Sequence, residues 1–140
     1  MDYLLDTNIC IYQIKGKHKT ITHRLREALP AGVGVSVITV SELEYGIEKS
    51  ERREQNRLAL SEFLTPFEIL PYDNAAAHCY GSIRADLEKR GWAIGIMDML
   101  IAAHALSLGA ILVTNNESEF RRVPSLRIEN WAGQDLGWRQ

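Results

Sequence analysis

Short apolar runs alternate along the chain with longer segments in which apolar residues recur every three or four positions. The short runs, rich in β-branched residues, predict buried strands at about 3–5, 33–38, 67–70, 110–114 and 126–128. The periodic segments predict helices at about 9–14, 20–29, 40–47, 52–64, 74–89 and 97–107. Strands that alternate with helices indicate an α/β fold with a mainly parallel sheet of four to five strands.

Length and composition predict one ordinary globular domain over residues 1–140, with a short C-terminal tail from about residue 132. The chain is 46% apolar and 24% charged, and its net charge of −2 argues against a surface that binds nucleic acid everywhere. A local basic patch remains compatible with that charge. The longest apolar stretch, 94–113, contains Asp98 and His104, and the start lacks a basic signal segment. A cytoplasmic protein with two reduced cysteines and no membrane span is therefore expected.

Four acidic motifs stand where predicted strands end or where predicted helices begin. They are Leu4-Leu5-Asp6-Thr7-Asn8, Ser41-Glu42-Leu43, Met97-Asp98-Met99-Leu100 and Thr114-Asn115-Asn116 with Glu119-Phe120. In a parallel sheet these positions share one edge, and carboxylates gathered there repel one another unless a cation neutralises them. Oxygen ligands of this kind suit Mg²⁺ or Mn²⁺. The pattern predicts a metal-dependent hydrolase.

Two of the acids also fit a purely structural role. The segment Thr39-Val40-Ser41-Glu42 has the spacing of a capping box, in which Glu42 would bond back to the Thr39 amide. Asn116 and Glu119 have the same spacing. Either glutamate alone would be explained by the start of a helix.

Asp6 and Asp98 have structural alternatives too, as a turn or cap residue and as a favourable charge in a first helical turn. Asp73, which follows a predicted strand in the same way, is expected to be a plain helix cap. Asp98 differs because its helix is almost wholly apolar and has no Lys or Arg within one turn. An ionised carboxylate there is costly unless it is paired or bound to a metal.

The four motifs, in this order and spacing, resemble a PIN-domain ribonuclease, and more narrowly the VapC-type toxins of bacterial toxin–antitoxin pairs. The similarity runs from Leu4-Leu5-Asp6-Thr7-Asn8 to Ile128-Glu129-Asn130-Trp131. It implies a three-layer α/β/α PIN fold and an acidic quartet of catalytic and metal-binding residues at Asp6, Glu42, Asp98 and Glu119. Supporting side chains would be Thr7, Asn8, Thr114 and Asn116. Many members carry Asp where Asn116 stands, which leaves Glu119 as the only acid of the fourth motif.

The resemblance also implies a reaction and partners. A water activated by Mg²⁺ or Mn²⁺ would attack an RNA phosphodiester in line and leave a 5′-phosphate and a 3′-hydroxyl. Asp6 and Asp98 would be direct ligands, with Glu42 and Glu119 acting through water. Toxins of this type cut structured RNA, most often tRNA, with the anticodon region of initiator tRNA as the expected target. They form homodimers, and a small antitoxin places a basic side chain among the acids.

Candidate RNA contacts come from the most basic segment of the chain and from one aromatic residue. The cations are Lys15, Lys17, Lys19, Arg24 and Arg26, which would track phosphates. Trp92, in a loop flanked by glycines, would stack on an unpaired base. The alternative for each cation is a solvated helix end, and for Trp92 a wall of the domain.

Three other functions are alternatives to a toxin. A receiver-type signalling domain also gathers carboxylates around Mg²⁺, but it needs a lysine where this chain has Thr114-Asn115-Asn116. A non-catalytic RNA-binding or protein-binding module would have no need of the complete quartet. A PIN nuclease without an antitoxin, acting on mRNA or rRNA, is left open by the sequence.

Overall fold

The computed structural model describes residues 1–132, and the predicted tail lies, from residue 133 onward, outside the described residues. The strands are β1 (Tyr3–Leu5), β2 (Val33–Ser36), β3 (Glu68–Leu70), β4 (Ile111–Val113) and β5 (Ile128–Glu129). The helices are α1 (Thr7–Lys15), α2 (Lys19–Ala28), α3 (Val37–Glu48), α4 (Arg53–Leu64), α5 (Asn74–Arg90), α6 (Ile96–Leu108) and α7 (Glu117–Phe120). A 3₁₀ turn, Leu29–Ala31, leads into β2.

The five strands form one sheet in the order β3-β2-β1-β4-β5, and every pairing is parallel. Strands β2 and β3 are added in sequence on one side of β1, and strands β4 and β5 are added on its other side. The strand order therefore reverses between β1 and β4. Ligands of open parallel sheets bind at such a reversal, beyond the carboxyl ends of the strands.

Helices cover both faces of the sheet. Leu4 and Leu112 point to a core shared with α5 and α6. Their neighbours Leu5 and Val113 point to a second core, shared with α1, α2, α3 and α4. Successive side chains of a strand alternate between faces, so a sheet buried on both sides needs unbroken apolar runs. The predicted three-layer α/β/α arrangement is confirmed.

The long apolar stretch 94–113 is a helix followed by a strand. Gly109 ends α6 in the left-handed conformation, with φ of 65°, and the chain turns directly into β4. Residues Met99, Ile101 and Ala102 of α6 are buried in the core. Among residues 1–132, no helix is long and apolar enough to cross a lipid bilayer.

The start of α3 differs from the sequence-based expectation. Strand β2 ends at Ser36 rather than at residue 38, because the Ser36 side chain accepts a hydrogen bond from the Ile38 amide and caps the helix. Glu42 therefore lies in the second turn of α3, and the capping box that would pair it with Thr39 is wrong. The Glu42 carboxylate is available for another partner.

Candidate active site

Asp6 joins β1, α1 and β4 at the point where the strand order reverses. Its Oδ1 accepts a 2.8 Å hydrogen bond from the Thr7 amide and caps α1. Its Oδ2 accepts a 2.8 Å bond from the Thr114 hydroxyl, which follows β4. Asp6 and Thr114 are both buried, and Asp6 is only 4% exposed. The prediction that Asp6 caps a helix is thus correct for Oδ1, whereas Oδ2 binds the Thr114 hydroxyl.

Glu42 is held beside Asp6 by the residue that follows Asp6. The Thr7 hydroxyl donates a 2.6 Å hydrogen bond to Glu42 Oε1 and lies 3.1 Å from the hydroxyl of buried Thr39. Thr7 is on α1, and Glu42 and Thr39 are on α3. The two helices thus bring the second acid to the edge of the sheet where Asp6 lies.

Asp98 and Glu119 form the other half of the site. Asp98 is half-buried in the first turn of α6, and its carboxyl shares a hydrogen bond with Glu119 of α7. The Asn116 side-chain amide donates a 3.1 Å bond to Glu119 Oε2. Asn116 makes no side-chain cap to α7, so the capping-box alternative for this pair is wrong.

The four acids influence one another electrostatically. Burial raises the pKa of Asp98 to about 7, assisted by its hydrogen bond to Glu119 and by the charges of Asp6, Glu119 and Glu42. Burial also raises the pKa of Asp6, with smaller contributions from Glu42 and Glu119, while the Thr114 and Thr7 hydrogen bonds act in the opposite direction. A cation bound at this cluster would neutralise charges that otherwise repel one another.

The chemistry of the donors fits a hard divalent cation. Within residues 1–132, no three aspartate, glutamate, histidine or cysteine side chains are arranged to hold an ion between them unaided. Mg²⁺ is commonly held by one or two carboxylates, with water and substrate phosphate completing its octahedral shell. Asp6 and Asp98, whose pKa values burial and neighbouring charge raise, are the pair that such an ion would relieve most.

The remaining supporting residues lie at the same edge. Thr114 Oγ1, besides bonding Asp6, accepts a 2.9 Å hydrogen bond from the Asn116 amide and fixes the turn between β4 and α7. Asn8 is exposed in the first turn of α1 and lines a hollow together with Thr7, Glu42 and Met97. The structure therefore brings all eight predicted catalytic and supporting residues to one region. Their roles in a reaction stay predictions.

An apolar cleft opens beside Glu42. It has a volume of about 450 Å³ and lies between α1, α3 and α4, where the apolar side chains of Ile11, Ile14, Leu43, Ile47 and Leu60 form most of its wall. Lys15, one of the predicted RNA contacts, lies at its edge. Apolar side chains therefore border the acidic cluster on the side of Glu42.

The other predicted RNA contacts line neither of the two hollows beside Glu42. Lys17, Lys19 and Arg26 are exposed in the segment that runs from the end of α1 into α2. Arg24 has a structural task, because its guanidinium bonds Glu129 at 2.9 Å and lies over the Trp131 ring. Trp92 is 47% exposed on the loop before α6.

Two contributions to the site were missed from the sequence. Thr39 looked like a helix cap, whereas its hydroxyl is buried against Thr7. Arg122 donates hydrogen bonds to the carbonyl oxygens of Trp92 and Ala93, in the loop that leads to Asp98. Neither role has a local sequence signal, since each depends on a contact between distant segments. His104, which interrupts the long apolar stretch, is buried, and its Nδ1 lies 2.7 Å from the Ser36 hydroxyl oxygen.

Comparison with known proteins agrees with this geometry. Residues 3–126 match the PIN domain. Ribonuclease VapC2 of Haemophilus influenzae is 49% identical over 132 residues, which are 94% of this chain and 98% of that protein. The tRNA(fMet)-specific endonuclease VapC of Shigella flexneri is 44% identical over 133 residues, 94% of this chain and 99% of that protein. The crystal structure of VapBC2 from Rickettsia felis bound to a promoter DNA fragment superposes with a TM-score of 0.89 at 40% identity, over 94% of this chain and 99% of that one. The chain belongs to the PIN-domain family and, within it, to the VapC ribonucleases.

Proposed function

We propose that this chain is a divalent-metal-dependent endoribonuclease toxin that cleaves tRNA and is neutralised by a small antitoxin. The observation that supports the metal dependence is the cluster of four carboxylates from four separate elements, in which burial and mutual repulsion raise the pKa of Asp98 to about 7. A bound Mg²⁺ or Mn²⁺ would lower the pKa of a water molecule and neutralise charge on the phosphoryl group. The protein's own part is to hold the acids in place.

The side chains divide this work. Asp6 and Asp98 are proposed as the direct ligands, and Thr114 keeps the Asp6 carboxylate oriented through its 2.8 Å bond. Glu42 and Glu119 would orient the attacking water from either side, since Thr7 fixes the first and Asn116 the second. Asn8 stands at the open side of the cluster, where a substrate hydroxyl or phosphate would pass. His104 has no part in this scheme because its ring is buried and contacts the Ser36 hydroxyl.

The substrate proposal is initiator tRNA, cut in its anticodon region. It is supported by relatives in Shigella flexneri and Salmonella typhimurium that are named tRNA(fMet)-specific endonucleases and are 44% and 43% identical to this chain. Hydrolysis would leave a 5′-phosphate and a 3′-hydroxyl and would stop translation in the cytoplasm. The exposed cations Lys15, Lys17, Lys19 and Arg26 are proposed to follow the tRNA backbone, with Arg24 contributing charge from its fixed position.

The proposed antitoxin would use the apolar cleft. A partner helix laid between α1, α3 and α4 would bury Ile11, Leu43 and Ile47. The cleft ends at Glu42, where a basic side chain of the partner would pair with the acids. Related toxins of Rickettsia felis and Salmonella typhimurium were crystallised as VapBC complexes with DNA, which supports such a partner here. We expect the toxin to form a homodimer in this assembly.

The decisive experiment is cleavage of a total tRNA pool by purified, antitoxin-free protein with Mg²⁺ or Mn²⁺. The controls are EDTA and the Asp98→Asn variant, which removes one charge from the cluster and keeps the shape of the side chain. Discrete fragments that disappear in both controls, and whose ends carry 5′-phosphates, would support the proposal and identify the target. Intact tRNA beside folded wild-type protein would refute the tRNA assignment, and cleavage that persists in EDTA would refute the metal dependence.

A further inference from the structure

An aromatic and basic surface lies next to the acidic cluster without being part of it. It consists of Arg90, Trp92, Arg121 and Arg122 and is called here the Trp92 surface. Gly91, Trp92, Arg121 and Arg122 line an open hollow of about 340 Å³. One exposed indole ring thus lies beside Arg90 and shares the hollow with Arg121 and Arg122, in a chain whose net charge is −2.

The protein fixes Trp92 firmly although nearly half of the residue faces solvent. Gly91 ends α5 in the left-handed conformation, with φ of 71°, and the Trp92 amide bonds back to the Leu87 carbonyl at 2.9 Å. On the other side of the residue, Arg122 Nη1 donates to the carbonyl oxygens of Trp92 and Ala93, at 3.4 and 3.2 Å. The Arg90 guanidinium lies 5.5 Å from the ring centroid. The backbone of Trp92 is therefore held on both sides, and its ring lies outside the core beside Arg90.

The charges of the Trp92 surface remain partly unneutralised. Arg90 pairs with Asp86 at 3.0 Å, and Arg121 pairs with Glu117 at 2.7 Å. Within residues 1–132, the hydrogen bonds of Arg122 go only to neutral carbonyl groups. The surface accordingly combines a flat ring for stacking with a net positive charge, which is the combination that binds unpaired nucleotides without reading their sequence.

The position of the surface relates it to the reaction. Trp92 begins the loop that leads into α6 and Asp98, and Arg121 directly follows α7, which carries Glu119. The hollow is thus bounded by the two segments that hold half of the acidic cluster. An RNA strand whose scissile phosphate lies at the acids would pass this surface with a neighbouring nucleotide.

We propose that the Trp92 surface is a subsite for one unpaired nucleotide of the RNA substrate, whose base stacks on Trp92 and whose phosphate pairs with Arg121 or Arg122. The inference rests on the proposed ribonuclease function. A protein partner is the alternative that the test addresses, because tryptophan and arginine are also enriched at hot spots between proteins. The position of the surface, between the segments that carry Asp98 and Glu119, favours the nucleotide. The subsite would favour cleavage in loops over cleavage in duplexes.

The test is equilibrium binding of a fluorescein-labelled stem-loop RNA, measured by anisotropy in EDTA so that metal-dependent hydrolysis does not interfere. Wild-type protein is compared with W92A, W92F, R121Q and R127Q. Arg127 is the matched control: it is also an exposed arginine bonded through Nη2, but its partner is the Gly109 carbonyl at the amino end of β4, on the opposite edge of the sheet. A blunt RNA duplex serves as the second probe.

W92A should weaken stem-loop binding at least about fivefold, the lower limit for loss of one base–aromatic stack. W92F should restore most of the affinity, and none of the Trp92 variants should change duplex binding. R121Q should weaken binding and lower the slope of log Kd against log salt by about one, whereas R127Q should match wild type. Unchanged binding by W92A, equal losses in R121Q and R127Q, or no RNA binding by wild type would overturn the proposal. Hydrolysis of the same stem-loop by wild type with Mg²⁺ tests the proposed function separately.

Discussion

Thr7 and Glu42 are 35 positions apart in the chain, and the hydroxyl of one lies 2.6 Å from a carboxylate oxygen of the other. This is a charge-assisted hydrogen bond, of the kind worth about 1.5–3 kcal/mol. It sets the direction of the Glu42 carboxylate at the edge of the sheet. Replacing Thr7 should therefore change catalysis more than it changes folding.

For Thr7→Val, which keeps the shape and removes the hydroxyl, we expect kcat on tRNA to fall about tenfold to a hundredfold with little change in KM. Thr7→Ser retains the donor and should stay within about threefold of wild type. Steady-state kinetics with Mg²⁺ would measure both. Equal losses in the two variants would show that the methyl group matters and that the hydrogen bond does not.

The acidic cluster predicts an unusual dependence of stability on pH. The pKa of Asp98 rises from an ordinary value of 3.8 to about 7 in the folded chain, chiefly through burial. Between these two values the folded chain binds more protons than the unfolded chain, so the cluster's contribution to stability falls as pH rises through this window. Asp98→Asn removes the effect.

We therefore expect metal-free Asp98→Asn to unfold at a higher temperature than wild type at about pH 8, and at nearly the same temperature at about pH 4. Thermal unfolding in EDTA at the two pH values is the measurement. A variant less stable than wild type at the higher pH would mean that the Asp98 charge is favourably paired in the absence of metal, contrary to the geometry described.

Metal binding should make wild type, rather than Asp98→Asn, the protein with the higher unfolding temperature. A cation that binds only the folded chain stabilises it by about 2.7 kcal/mol at a hundred times its Kd. Adding Mg²⁺ or Mn²⁺ should raise the unfolding temperature of wild type clearly and that of Asp98→Asn much less. Glu44→Gln, an exposed ion-paired acid of α3, is a suitable control and should respond as wild type does. Equal shifts in all three proteins would place the metal elsewhere.

Buried His104 predicts a dependence of stability on pH that is opposite in sign to that of Asp98. Its pKa is lowered from 6.5 by burial, against the raising influence of Asp73 and of the Pro71 carbonyl. His104 Nδ1 lies 2.7 Å from the Ser36 hydroxyl oxygen, from which the neutral ring can accept a hydrogen bond. The folded chain thus binds fewer protons than the unfolded chain just below pH 6.5, and stability is lost as pH falls through that range.

His104→Asn offers an acceptor near the Nδ1 position and cannot take up a proton. We expect it to be less stable than wild type at about pH 7.5, with the difference shrinking toward about pH 5. Urea unfolding of both proteins across this range would show the change. A constant difference at every pH would mean that His104 contributes packing alone.

Much of this molecule could be predicted from its sequence because the strongest signals are local. The apolar runs gave the strands, and the position of Asp6 after a buried strand placed it at the edge of the sheet. The start of α3 was misjudged because Val37 and Ile38 are as suitable for a strand as for a helix. The Ser36 cap decided between them, and a serine in an apolar run is a weak signal.

Side-chain partners were much harder to predict than elements. The bond from Thr114 to Asp6 spans 108 positions, and that from His104 to Ser36 spans 68. Such pairs depend on which strands become neighbours and on rotamers chosen in a packed interior. The acids could be predicted because burying an ionised carboxylate is costly unless it is paired or binds a metal. Burying a threonine has no comparable cost, so its position gives no such signal.

The double task of Asp6 has a consequence for how this protein can be inactivated. Losing its side chain would uncap α1 and leave the buried Thr114 hydroxyl without its partner, at a cost of about 1–3 kcal/mol for each polar group left unsatisfied. Under the proposed function, a mutation that removes the Asp6 carboxylate would therefore cost folded protein as well as activity. A mutation of Asp98, which is half-exposed on α6, would instead leave a folded and inactive chain that still binds the proposed antitoxin, and such a decoy would sensitise its host to any intact copy of the proposed toxin.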